Sequence, residues 1–256
     1  MTSTPVPEHV RLWLFDLDGV LTNSAVAHAS AWKAMFDDYL SALDPPQSPF
    51  DDHEDYLRYV DGRPRDDGVR TFLASRNLSV DDDALVAMGD RKTQLFVAAV
   101  ERGAVSVYPD ALVLVNALEA DGRSMAVVSS SANARMVLEQ TGLIDHFELV
   151  IDGAIAAQDG LAGKPAPDTY VAAAQRLGGD ASVAVVLEDA TVGVQAGRAG
   201  AFGLVVGVDR TGSADALSAA GADVVVQDLG TLAPRRKRAP GTSTIETSTD
   251  GEHVQR

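Results

Sequence analysis

The second half of the chain alternates between two rhythms, and this alternation restricts the fold more than any other feature of the sequence. Short runs of β-branched and aliphatic residues occur at 124–130 (SMAVVSS), 147–151 (FELVI), 183–189 (VAVVLED), 203–208 (GLVVGV) and 222–226 (ADVVV). Stretches with helical spacing separate them near 110–120, 132–141, 167–178 and 190–200. Strands this continuously apolar have no solvated face, so they belong in a parallel sheet covered by helices on both sides. Residues 11–15 (RLWLF) have the same character and supply a first strand.

A segment of a different kind follows that strand. Trp32, Met35, Phe36, Tyr39, Leu40 and Leu43 fall at helical spacing within 25–43, and DPPQSP at 44–49 breaks the pattern. A short helix is expected at 53–60. A turn and a helix with Pro64 in its first turn are expected at 61–77, and a helix capped by Ser79 and Asp82 at about 82–102. No strand is expected between 25 and 105. The chain therefore reads as an α/β core (1–25 and 106–233) broken after strand one by a helical insertion (26–105). The polar tail, 234–256, is expected to be disordered. Its RRKR run reads as solvated charge.

Charge narrows the partners. The chain holds 21 Lys and Arg against 37 Asp and Glu, a net charge of -16. Five of those basic and three of those acidic residues lie from Arg235 onward, leaving 16 against 34 in the body. Such a surface repels nucleic-acid phosphates, so no nucleic-acid partner is expected. A small phosphorylated substrate would need a local positive site, most simply a bound cation. The absence of cysteine excludes disulfides, thiolate nucleophiles and thiolate metal sites. No apolar run reaches about 18 residues, and the N-terminus lacks the basic-then-apolar order of a secretory signal. A cytoplasmic protein without a membrane partner is expected.

Chemistry gathers at the predicted strand ends, where open parallel sheets build their sites. Strand one stops at Asp16 and Asp18, followed by Gly19. The strand at 124–128 ends in Ser129, Ser130 and Ser131, and the one at 183–187 in Glu188 and Asp189. Lys164 precedes the helix at 167. Taken singly, each has a plainer role: turn chemistry for Asp-x-Asp, helix caps for the serines and for Glu188 with Asp189. GLAGKP lacks the Ser/Thr and glycine spacing of a P-loop. Taken together, they describe a phosphate site. Crowded carboxylates need a cation, and all-oxygen ligands favour Mg²⁺ with phosphate oxygens completing its shell. Hydroxyls and a lysine suit a phosphate. One aspartate can then attack phosphorus while the other, two residues on, moves the proton.

The stretches FDLDGVLTNS, VVSSSAN, GKPAPD and VLEDATVGVQAGRAGA also resemble the four successive motifs of the haloacid dehalogenase superfamily of phosphotransferases, over nearly the whole chain to about 230. The resemblance implies a Rossmann-like core carrying a mobile helical cap domain. It makes Asp16 the nucleophile and Asp18 the general acid/base. Ser129, Ser130 and Lys164 would hold phosphate, and Asp16, Glu188, Asp189 and the Asp18 carbonyl would bind Mg²⁺. Within the superfamily, GVLTNSAVAHASAWK, DGRPRDDGV, DRK and SSSAN resemble the β-phosphoglucomutase subgroup. That likeness places Ser24, His28, Trp32, Arg65, Lys92, Ser131 and Asn133 around the substrate. It implies conversion of β-glucose 1-phosphate to glucose 6-phosphate through the 1,6-bisphosphate, with a sugar-phosphate phosphatase or a non-catalytic phosphate-binding protein as alternatives; a monomer acting on a small phosphorylated sugar is expected. The chain departs from the subgroup pattern at Asn23-Ser24 and in the cap loop, where Asp61 and Pro64 replace a lysine and a serine. His28 and Trp32, four residues apart, share a helix face, and Lys92 lies on an inward stripe with Leu85, Met88, Phe96 and Ala99.

Overall fold

The computed structural model describes residues 6–234. The tail from 235, including RRKR, lies outside the described residues. Six parallel strands form one sheet in the order β3-β2-β1-β4-β5-β6: β1 (Leu12–Phe15), β2 (Ser124–Val128), β3 (Leu149–Ile151), β4 (Ala184–Glu188), β5 (Leu204–Val208) and β6 (Val224–Val226). The sheet expected from the apolar runs is present, with β1 central between β2 and β4. Phe15 is level with Val127 on one side and Leu187 on the other.

The two-residue period of a strand sorts the core into two layers. Trp13, Phe15, Met125, Val127, Val185 and Leu187 face one way. They pack on α4 (Pro109–Ala120) and α5 (Ala134–Gln140) through residues such as Leu114, Leu118, Val137 and Leu138. Leu12, Leu14, Ala126, Val128, Ala184 and Val186 face the other way. They meet α7 (Asp168–Arg176), α8 (Thr191–Ala199) and α9 (Ala214–Ala220). Two helices lack the length and apolar periodicity that sequence reading relies on: α9, with Leu217 as its one fully buried residue, and the six-residue α6 (Gly153–Gln158).

Between β1 and α4 the chain forms α1 (Ser24–Ser41), a short π-helical segment (Tyr56–Val60), α2 (Arg65–Ser75) and α3 (Asp82–Glu101). These close around an apolar cluster of their own. Phe36, Phe50 and Phe72 sit at its centre, with Phe36 and Phe72 ring centroids 4.2 Å apart. Two details differ from expectation. Asp81, not Ser79 with Asp82, caps α3 by accepting from the Ala84 N–H at 2.8 Å. Pro64 sits at the cap position just before α2, not inside its first turn.

The two chain crossings that join this helical unit to the sheet are stitched together. Thr22 and Val107 form an antiparallel bridge. The Asn23 N–H donates to Ser106 O at 3.0 Å, and the Ser106 N–H donates to Asn23 Oδ1 at 2.7 Å. Asn23, a departure from the subgroup pattern, is thus part of this stem.

Candidate active site

Asp16 continues the line of β1, its N–H donating to Leu187 O at 3.0 Å. The chain then turns sharply. Gly19 has φ +83°, and a Cβ there would collide with the Asp189 carboxylate, so only glycine fits. Because β2, β1 and β4 are neighbours, Ser129, Asp16 and Glu188 emerge side by side.

Lys164 lies beneath them. Its Nζ contacts Asp16 Oδ1, Glu188 Oε1 at 2.6 Å and Val128 O at 3.2 Å, and its side chain is almost wholly buried. Glu188 is fully buried. It accepts from the Tyr170 hydroxyl at 2.8 Å and from the Ala190 N–H at 3.2 Å. A Cβ at Gly193 would run into its carboxylate. Burial alone would discharge Lys164, but the charges of Asp16 and Glu188 outweigh it and hold the ammonium above the ordinary lysine value.

Carboxylate oxygens of Asp16, Glu188 and Asp189 lie within 4.8 Å of one another. Burial, then repulsion from Asp61, Asp16 and Glu188, raises Asp189 well above the usual carboxylate range. An all-oxygen trio with two members buried and one lysine to neutralise it fits a divalent cation such as Mg²⁺.

The Asp18 carboxylate is not one of this trio. The Ser24 hydroxyl donates to its Oδ1, the Ser129 hydroxyl reaches its Oδ2 at 3.4 Å, and His28 Nε2 lies 3.3 Å from Oδ1. Burial opposes its ionisation, but His28, Ser24 and Lys92 outweigh that and hold it at about 2. His28 stacks flat on Phe96 at 3.7 Å. Lys92 Nζ donates to His28 Nδ1 at 2.6 Å, which leaves the Nε2 proton facing Asp18. Lys92 is buried, 5.0 Å from the Trp32 ring centroid. Burial pulls its pKa down to about 7.

A cavity of about 440 Å³ separates the helical unit from the sheet edge. Asp16, Asp18, Asp189, Ser129, Ser130, Ser131 and Asn133 line it from the sheet side; His28, Trp32, Lys92 and the loop 61–65 line it from the other. The loop rests on the sheet side, where the Ser130 hydroxyl donates to Gly62 O at 2.8 Å. Ser130, expected on phosphate, lines the cavity and latches this loop. Ser24, expected around the substrate, is fully buried and oriented onto Asp18. Arg65 lines the cavity, but its guanidinium is engaged by Asp66 and Asp90, both at 3.1 Å, and by Thr93 at 3.2 Å.

Sequence reading missed Tyr170 and Arg210, and it named Asp61 only as a departure from the subgroup pattern. Tyr170 fixes Glu188. Asp61 reaches the acidic trio from the loop, its pKa raised to about 7 by burial and then by Glu188. Arg210, just past β5, clamps the turn after Asp18. It donates to Gly19 O at 3.3 Å and Val20 O at 3.2 Å, pairs with Asp110 at 2.8 Å and covers the Tyr108 ring at 4.1 Å. Partial burial works against ionised Asp110, but Arg210 and the Leu229 N–H outweigh it and lower its pKa below 3.8. A lowered carboxylate pKa stabilises fully above its unfolded value and loses that contribution as pH falls through the folded value. Asp110→Asn is therefore expected to cost about 1 kcal/mol near neutrality and progressively less below pH 3.8. Paired urea titrations across pH check this.

A haloacid dehalogenase-like hydrolase family model matches residues 10–200. The chain is 44% identical over 243 residues to a β-phosphoglucomutase of Mycobacterium bovis, covering 89% of this chain and 93% of that protein. It is 33% identical over 220 residues to the validoxylamine A 7'-phosphate phosphatase of Streptomyces hygroscopicus subsp. limoneus, covering 84% and 92%. The crystal structure of a HAD family hydrolase from Deinococcus radiodurans R1, with bound phosphate and sodium, superposes with TM-score 0.64 at 31% identity, covering 88% and 94%. The chain belongs to the haloacid dehalogenase-like hydrolase family. It is an enzyme, either a phosphotransferase or a phosphatase. Mg²⁺ is typical of this family, and among the described residues no helix is long and apolar enough to cross a membrane.

Proposed function

We propose that the chain is a Mg²⁺-dependent β-phosphoglucomutase working through an aspartyl phosphate on Asp16. One observation carries the reading: Asp16 and an ionised Asp18 face the same cavity, under a loop held shut by Ser130. The likeness to the mycobacterial mutase supports it. Residues 1–25 and 106–233 form the catalytic core in this reading, and 26–105 the cap.

With Asp16 carrying the phosphoryl group, ionised Asp18 takes the proton of the O6 hydroxyl of β-glucose 1-phosphate as that oxygen attacks phosphorus and the bond from phosphorus to Asp16 breaks. In the return step an Asp16 oxygen attacks the C1 phosphorus of the 1,6-bisphosphate. The bond from phosphorus to the C1 oxygen breaks, and Asp18 gives that oxygen the proton it took. His28 and Ser24 hold the Asp18 carboxylate in place for both transfers. Lys164 holds Asp16 and neutralises charge at the attacking end. Asp16, Glu188 and Asp189 would hold Mg²⁺, which supplies charge neutralisation for the transferring phosphoryl group. The Ser130–Gly62 latch keeps the cap loop over the cavity and excludes water.

The test is to supply β-glucose 1-phosphate, Mg²⁺ and a trace of the 1,6-bisphosphate, and to follow glucose 6-phosphate and free phosphate together. Glucose 6-phosphate well ahead of phosphate is the expected result. Phosphate alone would replace the mutase reading with a phosphatase, as in the Streptomyces relative.

A further inference from the structure

Carbonyls in a tight turn need donors, and a turn that aims a reacting group needs donors that stay in place. Among the described residues no backbone N–H reaches Gly19 O or Val20 O, the two carbonyls that follow Asp18. One side chain serves both: Arg210 Nε donates to Gly19 O, and one terminal nitrogen of the same guanidinium donates to Val20 O. The other terminal nitrogen pairs with Asp110, in the first turn of α4, and reaches Gln227 O at 3.4 Å. Asp110 is held in turn by the Leu229 N–H, which donates to its Oδ2 at 2.8 Å. The loop that carries Arg210 is itself fixed. The buried Asp209 carboxylate accepts from the Gly212 and Ser213 N–H groups at 2.7 and 2.8 Å and from Gln227 Nε2 at 3.1 Å. One planar fork thus ties the turn after Asp18 to α4 and to the ends of β5 and β6. Arg210 does not line the cavity. An ion pair kept for stability alone would need only Asp110. Two donors on consecutive carbonyls of this turn do something further, because they fix where the Asp18 carboxylate stands beside Asp16. A lysine ammonium is a single point charge and does not reproduce a fork that serves two carbonyls and a carboxylate together.

We propose that Arg210 is a positioning residue for phosphoryl transfer: by tying the Gly19 and Val20 carbonyls to α4 it sets the placement of Asp18 beside Asp16, without touching substrate. The proposal rests on the phosphoryl-transfer reading above, and not on the identity of the sugar.

The experiment compares full-length Arg210→Lys with Asp110→Asn in the Mg²⁺ assay above, following whichever product forms, glucose 6-phosphate or phosphate, beside thermal melts. Arg210→Lys is expected to lower kcat about ten- to hundredfold, the effect of a displacement of about 1 Å at a reacting group, with KM changed less than about twofold. Asp110→Asn leaves both donors to the turn in place. It is expected to lower the thermal midpoint while kcat stays within about twofold of the wild type. Equal kcat in the two variants at matching thermal midpoints would make Arg210 a stabilising ion pair and overturn the assignment. A rise in KM at unchanged kcat in Arg210→Lys overturns it as well. A wild-type protein that forms neither product removes the phosphoryl-transfer reading instead, and the assignment with it.

Discussion

Asp16→Asn is expected to lower kcat for glucose 6-phosphate formation by at least about 10⁴-fold, because an amide oxygen is no nucleophile toward phosphorus and nothing else can accept the phosphoryl group. The fold should survive the change. Asparagine keeps the shape of aspartate, Lys164 keeps Glu188 as a partner at 2.6 Å, and the carboxylates that raise one another's pKa lose one member. Rapid-quench assays beside thermal melts separate the two effects. Retention of more than a few per cent of wild-type turnover in a correctly folded variant would remove Asp16 from the nucleophile's role. The Asp18 carboxylate does not substitute, since Ser24 and Ser129 hold both of its oxygens.

Lys164→Met is expected to damage stability as well as catalysis. The lysine side chain is 1% exposed and joins two carboxylates whose own side chains are 9% and 1% exposed. Removing one partner of such a pair leaves uncompensated buried charge and costs about 3–5 kcal/mol. The pH dependence reveals the cause. Without the ammonium, burial and mutual repulsion hold the folded-state pKa of Asp16 above its unfolded value, so the folded state binds the extra proton. Stability of the variant should therefore fall more steeply than that of the wild type as pH rises above the unfolded carboxylate value of 3.8. Mg²⁺ should recover part of the loss by binding the native state alone, and the recovery should grow with the logarithm of its concentration. A variant that melts like the wild type at every pH would show that Lys164 is not the counter-ion of this site.

Much of this site was legible in the sequence because its parts stand at strand ends. Continuous apolar runs fix where strands stop, and a polar residue at such a stop is conspicuous: Asp16 after Phe15, Ser129 after Val128, Asp189 after Glu188. What was not legible depends on side chains arriving from elsewhere. Arg210 lies 191 residues from the Gly19 carbonyl it holds, and an arginine just past a strand reads as ordinary surface. Tyr170 sits in a helix as a core aromatic, and only its contact with Glu188 gives it a task. Ser24 was expected near substrate from the likeness to the β-phosphoglucomutase subgroup. The turn forced by Gly19 folds it back onto Asp18. The short helices α6 and α9 escaped for a local reason: GAIAAQ and ADALSAA carry too few large apolar residues to show a period.

The paired crossings at Thr22 and Val107 also bear on how such proteins diversify. The helical unit departs and returns through two strands of chain that bond to each other, so its covalent junction with the sheet is one narrow neck. Everything upstream and downstream of that neck keeps its spacing whatever the length of the loop it closes. A gene that lengthens or trims the loops between α1 and α3 leaves the strand ends in register, together with the Ser24, His28 and Lys92 side chains that hold Asp18. Recognition and reaction are thereby free to be inherited separately.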